Sequence, residues 1–311
     1  MFAPVVNVTA PSPFTTVTGS GVLAATASDD VGVSYVQFLI DGVVVGADNM
    51  PPYAIVWNST TVADGTHILT ARAFDDSGKS GESGQVAIVT LNNTSAPTGL
   101  VAAYNFNQGA GTTVPDASGT GNTGAIAGAT WSALGKYGGA LSFNGVSSRM
   151  DIADANSLDL TSAFTLEAWV YPTAAGGWRT IILKEQPNDL TYALYAGGDA
   201  DRPSGWANTG RFQHSVEGPS ALPLYAWTHL VTTFDGSMLR IYVNGVLVRD
   251  FAASGTVTAS SGKLRIGGNA VWGEYFKGRI DEVRIYNRAL SLAEIQIDMG
   301  RRFRSPLCGL R

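Results

Sequence analysis

The sequence has little of four features that would indicate how a protein is stabilised or where it acts. It contains one cysteine, Cys308, so no disulfide can form within the chain, and packing or metal binding must supply its stability. Only 14% of its 311 residues are charged and the net charge is −5, so no overall basic field would attract nucleic acid or anionic membranes. No apolar run reaches the roughly 18 residues of a membrane span. The opening MFAPVVNV also lacks the basic and apolar regions of a signal peptide.

Glycine and apolar residues are plentiful instead. The chain has 37 glycines and is 45% hydrophobic, a composition that suits β-sandwiches with many turns and argues against disorder. Its length is sufficient for two domains with separate cores. The segment Trp227–Gly245 reads WTHLVTTFDGSMLRIYVNG, with period-two alternation and turns at Asp235-Gly236 and Asn244-Gly245. This pattern predicts consecutive antiparallel strands with one buried face.

Residues 4–91 predict an all-β sandwich. They contain about seven short alternating runs, with a hairpin turn at Asp41-Gly42. The phrases VQFLIDGVVVG, PPYAIVWN and DGTHILTARAFDDSGKSG resemble the immunoglobulin-like modules of secreted bacterial proteins. This resemblance implies an immunoglobulin-like domain over residues 1–93 that acts as a spacer. The polar segment NNTSAPTG lacks periodicity and predicts a linker at 94–99.

Residues 100–299 predict a second all-β domain, because more than ten strand-like runs occur there. The motifs DASGTGNTG, GGALSFNG, FTLEAWV, WTHLVTTFDG, IYVNG, IGG and GRIDEVRIYNRALSLAEI resemble the concanavalin A-like, laminin G-type and pentraxin-like module. The resemblance implies a jelly-roll β-sandwich. Ser291 followed by Glu294 forms a capping box, which predicts a short helix over Ser291–Asp298. The Arg-rich residues 300–311 do not continue the strand pattern and are interpreted as a tail.

A calcium site is the first functional hypothesis. The loop from Asp116 to Asn122 offers a carboxylate, hydroxyls, an amide and backbone carbonyls, the oxygen ligands that calcium prefers. The resemblance implies that this loop approaches Asp281 and that a structural calcium ion binds there, with Asn105 and Asn107 as further ligands. The alternative is that Asp116 and Asn122 hydrogen-bond only within their own turns.

A sugar-binding site is the second hypothesis. Trp178, Trp206 and Trp272 lie in the Gly-rich stretches GGWRT, SGWANTG and VWGEYF, which are predicted to be loops. Flat aromatic faces and a few polar groups suit carbohydrate recognition. The polar rim is assigned to three neighbouring residues: Arg179, Arg211 and Tyr275. The alternative is that each tryptophan only anchors its own loop.

The sequence predicts no catalytic site. Glycoside hydrolysis needs two carboxylates, and the laminarinase-like enzymes of this architecture carry them on one strand as Glu-x-Asp-x-x-Glu, which is absent here. Asp281 and Glu282 are expected to point to opposite faces of a strand, because adjacent strand residues alternate. The histidines fall in three separate strand-like runs and are interpreted as packed or surface residues: His67, His214 and His229.

Together these patterns favour non-catalytic binding of an extracellular polysaccharide or glycan by the jelly-roll domain, with the immunoglobulin-like domain as a spacer. The alternative function is a structural or adhesive segment of a larger surface protein. Its partners would then be other surface proteins or further modules of the parent chain. Both interpretations imply a secreted or cell-surface location, without nucleic-acid partners or membrane insertion.

Overall fold

The structure is a computed structural model that describes residues 2–90, 92 and 98–303. These residues form two compact units. One comprises residues 2–92 with Gln296–Arg301, and the other comprises residues 98–295 with Arg302 and Phe303. Most of the predicted linker at 94–99 and of the predicted tail at 300–311 lies outside the described residues.

The first unit is a β-sandwich. Its strands are β1 (Val5–Ala10), β2 (Thr16–Val17), β3 (Ser20–Ser28), β4 (Val33–Ile40), β5 (Val43–Asp48), β6 (Tyr53–Asn58), β7 (Gly65–Asp75), β8 (Ser80–Glu82) and β9 (Val86–Thr90). One sheet has the order β1-β3-β6 and the other the order β2-β9-β7-β4-β5, with β8 paired to β7. Phe38 and Trp57 are buried between the sheets, as predicted. Asp41 and Gly42 both have positive φ (49° and 79°), which a type I′ hairpin turn requires.

The second unit contains sixteen strands. They are β10 (Leu100–Tyr104), β11 (Thr113–Val114), β12 (Gly124–Ala127), β13 (Thr130–Ser132), β14 (Ala140–Asn144), β15 (Arg149–Ile152), β16 (Phe164–Pro172), β17 (Arg179–Gln186), β18 (Asp189–Gly197), β19 (Ser204–Asn208), β20 (Gln213–Glu217), β21 (Thr228–Phe234), β22 (Met238–Val243), β23 (Val246–Ala252), β24 (Leu264–Ile266) and β25 (Lys277–Tyr286). Helix α1 (Leu292–Gly300) follows β25; its residues up to Ile295 belong to this unit and the rest to the first unit. No helix in the described part of the chain has the length and apolar content to cross a membrane.

Two large sheets make up this unit. One has the order β13-β14-β25-β16-β21-β22-β23, with β10 also paired to β25, and the other has the order β11-β12-β15-β24-β17-β18-β19-β20. Their inner faces share one hydrophobic core. Phe164 of the first sheet and Tyr192 of the second lie in it, with ring centroids 5.5 Å apart. The fold is therefore an all-β jelly-roll sandwich, as predicted.

The alternating segment Trp227–Gly245 forms β21 and β22 with a tight turn between them, as predicted. The expectation of a single buried face is wrong for β21, because all seven of its residues are buried. Leu230 faces the core between the sheets, whereas Val231 belongs to a second apolar cluster that includes Ile295 of α1. The helix thus covers the outer face of this strand.

The capping box that was predicted for this helix is present. The Ser291 backbone N–H donates to Glu294 Oε2 at 2.8 Å, and the Glu294 N–H donates to Ser291 Oγ at 3.3 Å. Arg288 and Ser291 hold the pKa of the Glu294 carboxyl to about 2, so it remains an anion at the helix start. These reciprocal bonds satisfy backbone donors that would otherwise lack partners.

Candidate functional site

A pocket of about 230 Å³ opens on the second unit and brings the three predicted tryptophans together. Its lining residues come from β18, β19, β20 and the segments that flank β17 and β25: Trp178, Leu190, Tyr195, Trp206, Gln213, Trp272 and Glu274. Four of them (Trp178, Leu190, Tyr195 and Trp206) belong to a small apolar cluster that is separate from the core between the sheets. The pocket therefore lies on the outer face of the β17–β20 side of the sheet.

Trp206 is placed by a strand and not by a loop, so the prediction of a connecting stretch was wrong. It lies in β19, opposite Ala193 of β18 and Ser215 of β20. The neighbouring Gly205 has a structural role, because a Cβ there would overlap Thr232 of the opposite sheet. The glycine that suggested a loop instead allows the two sheets to approach closely.

Trp178 precedes β17 and packs against two other aromatic residues of the pocket. Its ring meets Tyr195 edge-on at 5.1 Å between centroids and Trp206 at 5.7 Å and 60°. Its indole Nε1 donates to Asp199 at 2.8 Å. The Trp206 Nε1 likewise donates to Ser204, at 2.9 Å. Ring packing and these hydrogen bonds hold both indoles in the wall of the pocket.

Trp272 is the most exposed of the apolar lining residues. It lies between β24 and β25 and is 47% exposed. Its backbone N–H donates to the side-chain oxygen of Asn269 at 2.8 Å, and the amide nitrogen of Asn269 donates to Thr180 and to Glu274. Asn269 is fully buried and thus ties the Trp272 segment to β17.

Glu274 is the only charged residue among the described residues that line the pocket. Its Oε2 accepts hydrogen bonds from the Tyr195 hydroxyl (3.0 Å) and from Asn269 Nδ2 (2.7 Å). Burial raises the pKa of this carboxyl and the charge of Asp199 adds to the effect, although the two donors act in the opposite direction. Burial, and then the Glu274 charge, raise the pKa of Tyr195, so its phenol remains a neutral donor.

The residues predicted for the polar rim do not line this pocket. The Arg179 guanidinium donates to the carbonyls of Ala175 and Gly176 and so stabilises its own loop. Arg211 lies 5.6 Å above the Phe212 ring. Tyr275 packs on the backbone of Gly268. The polar lining consists instead of Glu274, Gln213 and the Tyr195 hydroxyl, which sequence reasoning missed. Period-two alternation marked Tyr195 as a strand residue, and no pattern indicated that Glu274 would meet it.

The predicted calcium loop satisfies its own polar groups. The Asp116 carboxylate accepts from the backbone N–H groups of Ala103, Ser118 and Asn122 and from the hydroxyls of Ser118 and Thr120. A carboxylate has about four lone-pair sites, so these donors occupy its accepting capacity. Asp116 accepts four of these five bonds from its own loop, whereas the Asn122 amide donates to the Val101 carbonyl and to Ser157, which lie outside the loop.

The other predicted calcium ligands do not complete an oxygen cage. The Asn105 side chain accepts from the Asn107 N–H, and the Asn107 oxygen accepts from the Arg302 guanidinium at 2.9 Å. Asp281 accepts from the Tyr137 N–H at 2.9 Å. In the described ranges, no group of three or more His, Cys, Asp or Glu residues could hold a metal ion. The residues as placed do not fit calcium, whose presence stays a prediction.

Glu282 and Asp281 do not point to opposite faces, so that prediction was wrong. Glu282 has φ +50°, and the pairing of β25 with β16 shifts register beside it. Ile280 and Val283 both face the core between the sheets, so the two residues between them share the outer side. This β-bulge cannot be seen in a sequence that otherwise alternates.

The bulge gathers a fully buried group of charged and polar residues: Glu167, His229, Asp281, Glu282 and Arg284. The Arg284 guanidinium bonds Glu167 at 3.1 Å and Glu282 at 2.8 Å. Burial lowers the pKa of His229 to about 3, and the charges of Arg284 and Lys136 add to this effect. Burial also raises the pKa of Asp281 to about 7. Because these side chains have no solvent access, the group is structural and does not form a binding surface.

Two tandem β-sandwiches, the second with an open aromatic pocket, define a modular β-sandwich protein with a binding domain. Residues 4–71 match the family model described as a bacterial Ig domain. Residues 143–296 match the laminin G-type model described as the concanavalin A-like lectin/glucanases superfamily. The chain therefore carries a bacterial immunoglobulin-like domain followed by a concanavalin A-like jelly-roll domain.

Solved structures similar to the chain include binding domains from bacterial proteins. Domain 4 of AbnA, an extracellular GH43 arabinanase from Geobacillus stearothermophilus solved with arabinotriose, is 25% identical with a TM-score of 0.55. The match covers 65% of this chain and 98% of that domain. The binding domain of Paraclostridial Mosquitocidal Protein 1 (14% identity, TM-score 0.53) matches 65% of this chain and 52% of its own length. The botulinum neurotoxin serotype G binding domain is 15% identical with a TM-score of 0.53, and the match covers 64% of this chain and 50% of that domain. The chain thus spans about half of each toxin domain, and these two matches show the fold alone. A comparison with curated proteins gave no match.

Proposed function

We propose that the concanavalin A-like domain binds a glycan in the Trp178–Trp206–Trp272 pocket and does not cleave it. The observation that carries this proposal is the convergence of three indoles, a neutral phenol and a carboxylate on one outer face. Indole faces pack against the C–H groups of a pyranose or furanose ring, while Glu274 and Gln213 provide partners for hydroxyl groups.

The size of the pocket favours one sugar unit. Its volume of about 230 Å³ is below the roughly 300–1,000 Å³ of sites that enclose drug-sized ligands. An extended oligosaccharide would therefore place a single residue in the pocket and leave the others on the surface. The similar arabinanase domain, solved with arabinotriose at 25% identity over almost its full length, supports a sugar ligand.

The proposal of non-catalytic binding rests on the acid groups. Glycoside hydrolysis generally uses two carboxylates that flank the scissile bond. In the described lining of the pocket, one residue, Glu274, carries a carboxylate. Incubation of the protein with a polysaccharide that it binds should release no reducing sugar; release that Glu274→Gln abolishes would overturn this part of the proposal.

The immunoglobulin-like domain is proposed to act as a spacer, and the protein to work outside the cell or at its surface. The match to a bacterial Ig domain supports this assignment. A glycan of a neighbouring cell or matrix would then be within reach of the pocket.

Trp272 provides the sharpest test of the site, because its side chain is nearly half exposed and its loss should not unfold the domain. A glycan array with the full chain should give hits that Trp272→Ala reduces by about twofold to tenfold, since one aromatic contact contributes roughly 0.5–1.5 kcal/mol. Phe251→Ala is the matched control, because Phe251 is 49% exposed on β23 and does not line the pocket. Silence across diverse glycans, or equal effects of both substitutions, would refute the proposal.

A further inference from the structure

The geometry points to a more specific ligand: we infer that the pocket selects a glycan residue that bears a free primary ammonium group, such as an unacetylated hexosamine. This inference rests on the proposed glycan-binding function and adds the chemical class of the bound residue. Three features of the described residues support it: the charge in and around the lining, the accepting oxygen of Glu274 and the three indoles.

The charge around the pocket is negative. Glu274 lines it, and two further carboxylates bond directly to lining side chains: Asp199 accepts from the Trp178 indole, and Asp189 accepts from the Gln213 amide at 2.9 Å. None of the described lining residues is Arg or Lys. Arg179, next to Trp178 in the sequence, donates to the carbonyls of its own loop. Such a lining repels uronic acids and sulfated sugars and attracts cations.

Glu274 presents an acceptor to the ligand. In the described part of the chain, its side-chain hydrogen bonds from Tyr195 and Asn269 both go to Oε2, which leaves Oε1 as the accepting atom. A primary ammonium carries three N–H donors, and its bond to a carboxylate is charge-assisted. A quaternary ammonium has no N–H donor, and N-acetylation removes the charge. The free acceptor therefore favours a primary ammonium over both.

The aromatic walls act in the same direction. Trp178, Trp206 and Trp272 line the same space as Glu274. Indole is the best aromatic partner for a cation, and the attraction increases where water is excluded. Burial raises the pKa of Glu274, so affinity for the cation should fall as the pH drops through that pKa and the carboxyl becomes neutral.

Calorimetric titration of the full chain tests the inference with matched oligosaccharides: β-1,4-linked glucosamine oligomers, their N-acetylated counterparts, arabinotriose and oligogalacturonate. The glucosamine oligomer should bind at least about tenfold more tightly than its N-acetylated counterpart, because a hydrogen bond to a charged group contributes roughly 1.5–3 kcal/mol. Glu274→Gln should remove this difference, because it should weaken binding of the glucosamine oligomer at least about tenfold more than binding of the N-acetylated oligomer. Oligogalacturonate should not bind.

Salt provides a second measurement on the unmodified protein. Added NaCl should weaken binding of the glucosamine oligomer and leave the N-acetylated oligomer unaffected, because screening acts on the charge pair alone. Equal affinities of the two oligomers, equal losses for both in Glu274→Gln, or tighter binding of a choline-substituted glycan would each overturn the inference while the proposed glycan binding survives. Absence of binding to every oligosaccharide would overturn both.

Discussion

Single substitutions of Asp281 and His229 should give opposite pH dependences of stability. Both side chains are fully buried in the same group of residues, yet their pKa values shift in opposite senses. Burial raises the pKa of Asp281 from 3.8 to about 7. Burial and neighbouring cations lower that of His229 from 6.5 to about 3. Between pH 5 and 8 the contributions of the two groups to stability therefore change in opposite directions.

The sign follows from proton counting. Between pH 3.8 and 7, Asp281 binds more protons in the folded chain than in the unfolded chain. The contribution of Asp281 to stability is therefore full at low pH and is lost as the pH rises through 7. From pH 5 to 8 this loss integrates to about 2–3 kcal/mol. His229 behaves inversely, because the unfolded chain protonates it below pH 6.5 while the folded chain holds it neutral. Its contribution therefore increases by about 2 kcal/mol over the same range.

In the natural sequence the pH-dependent stability contributions of Asp281 and His229 nearly cancel. Substituting one of the two residues should therefore reveal the pH dependence caused by the other. Relative to the unsubstituted protein, the unfolding free energy of Asp281→Asn should rise by about 2–3 kcal/mol from pH 5 to 8, and that of His229→Gln should fall by about 2 kcal/mol. Urea denaturation followed by tryptophan fluorescence measures this unit, because all tryptophans except Trp57 lie in residues 98–303. Profiles that differ from that of the natural sequence only by a constant offset in both variants would refute the reasoning.

Three further outcomes follow from contacts described above. Gly205→Ala should lower the free energy of unfolding by about 1–3 kcal/mol, because the new Cβ would overlap Thr232. The double variant Gly205→Ala with Thr232→Ala should recover part of that loss, and equal melting temperatures of the single and double variants would contradict this. Ser291→Ala should cost about 1 kcal/mol by removing the cap of α1, whereas Ser291→Thr should cost less; circular dichroism melts compare them, and equal losses would argue against the capping role. A chelator should leave the melting temperature unchanged if Asp116 stays occupied by donors of its own loop; a decrease would instead support the predicted calcium site.

Much of the fold could be predicted from local patterns. Alternation and turn residues identify strands such as β4 and β5, because a half-buried strand repeats every two residues and Asp41-Gly42 supports a tight turn. The same rule fails where a third element covers the outer face, as helix α1 does for Val231 of β21. It fails again at the bulge beside Glu282, where one extra residue reverses the facing of the strand.

The site was accessible to sequence reasoning only in part. Tryptophans flanked by glycine were identified as candidates, and the structure gathers them in one pocket. Their polar partners were not identifiable, because Glu274 is brought to Tyr195 by pairings between distant segments and no local pattern encodes such a meeting. The prediction that Arg179 forms the polar rim failed for a local reason, because its guanidinium donates to a backbone carbonyl of its own loop.

The segment between β24 and β25 is a small hairpin closed on itself. The Asn269 N–H donates to the Glu274 carbonyl and the Phe276 N–H donates to the Gly267 carbonyl, each at 3.0 Å. It carries Trp272 and Glu274, whereas the indole of Trp206 rises from a strand of the sheet. Its base is anchored, because the buried Asn269 donates to Thr180 of β17. Exchanging only the loop residues between Asn269 and Glu274 would therefore change the exposed wall of the pocket while keeping the contact that joins the segment to the sheet.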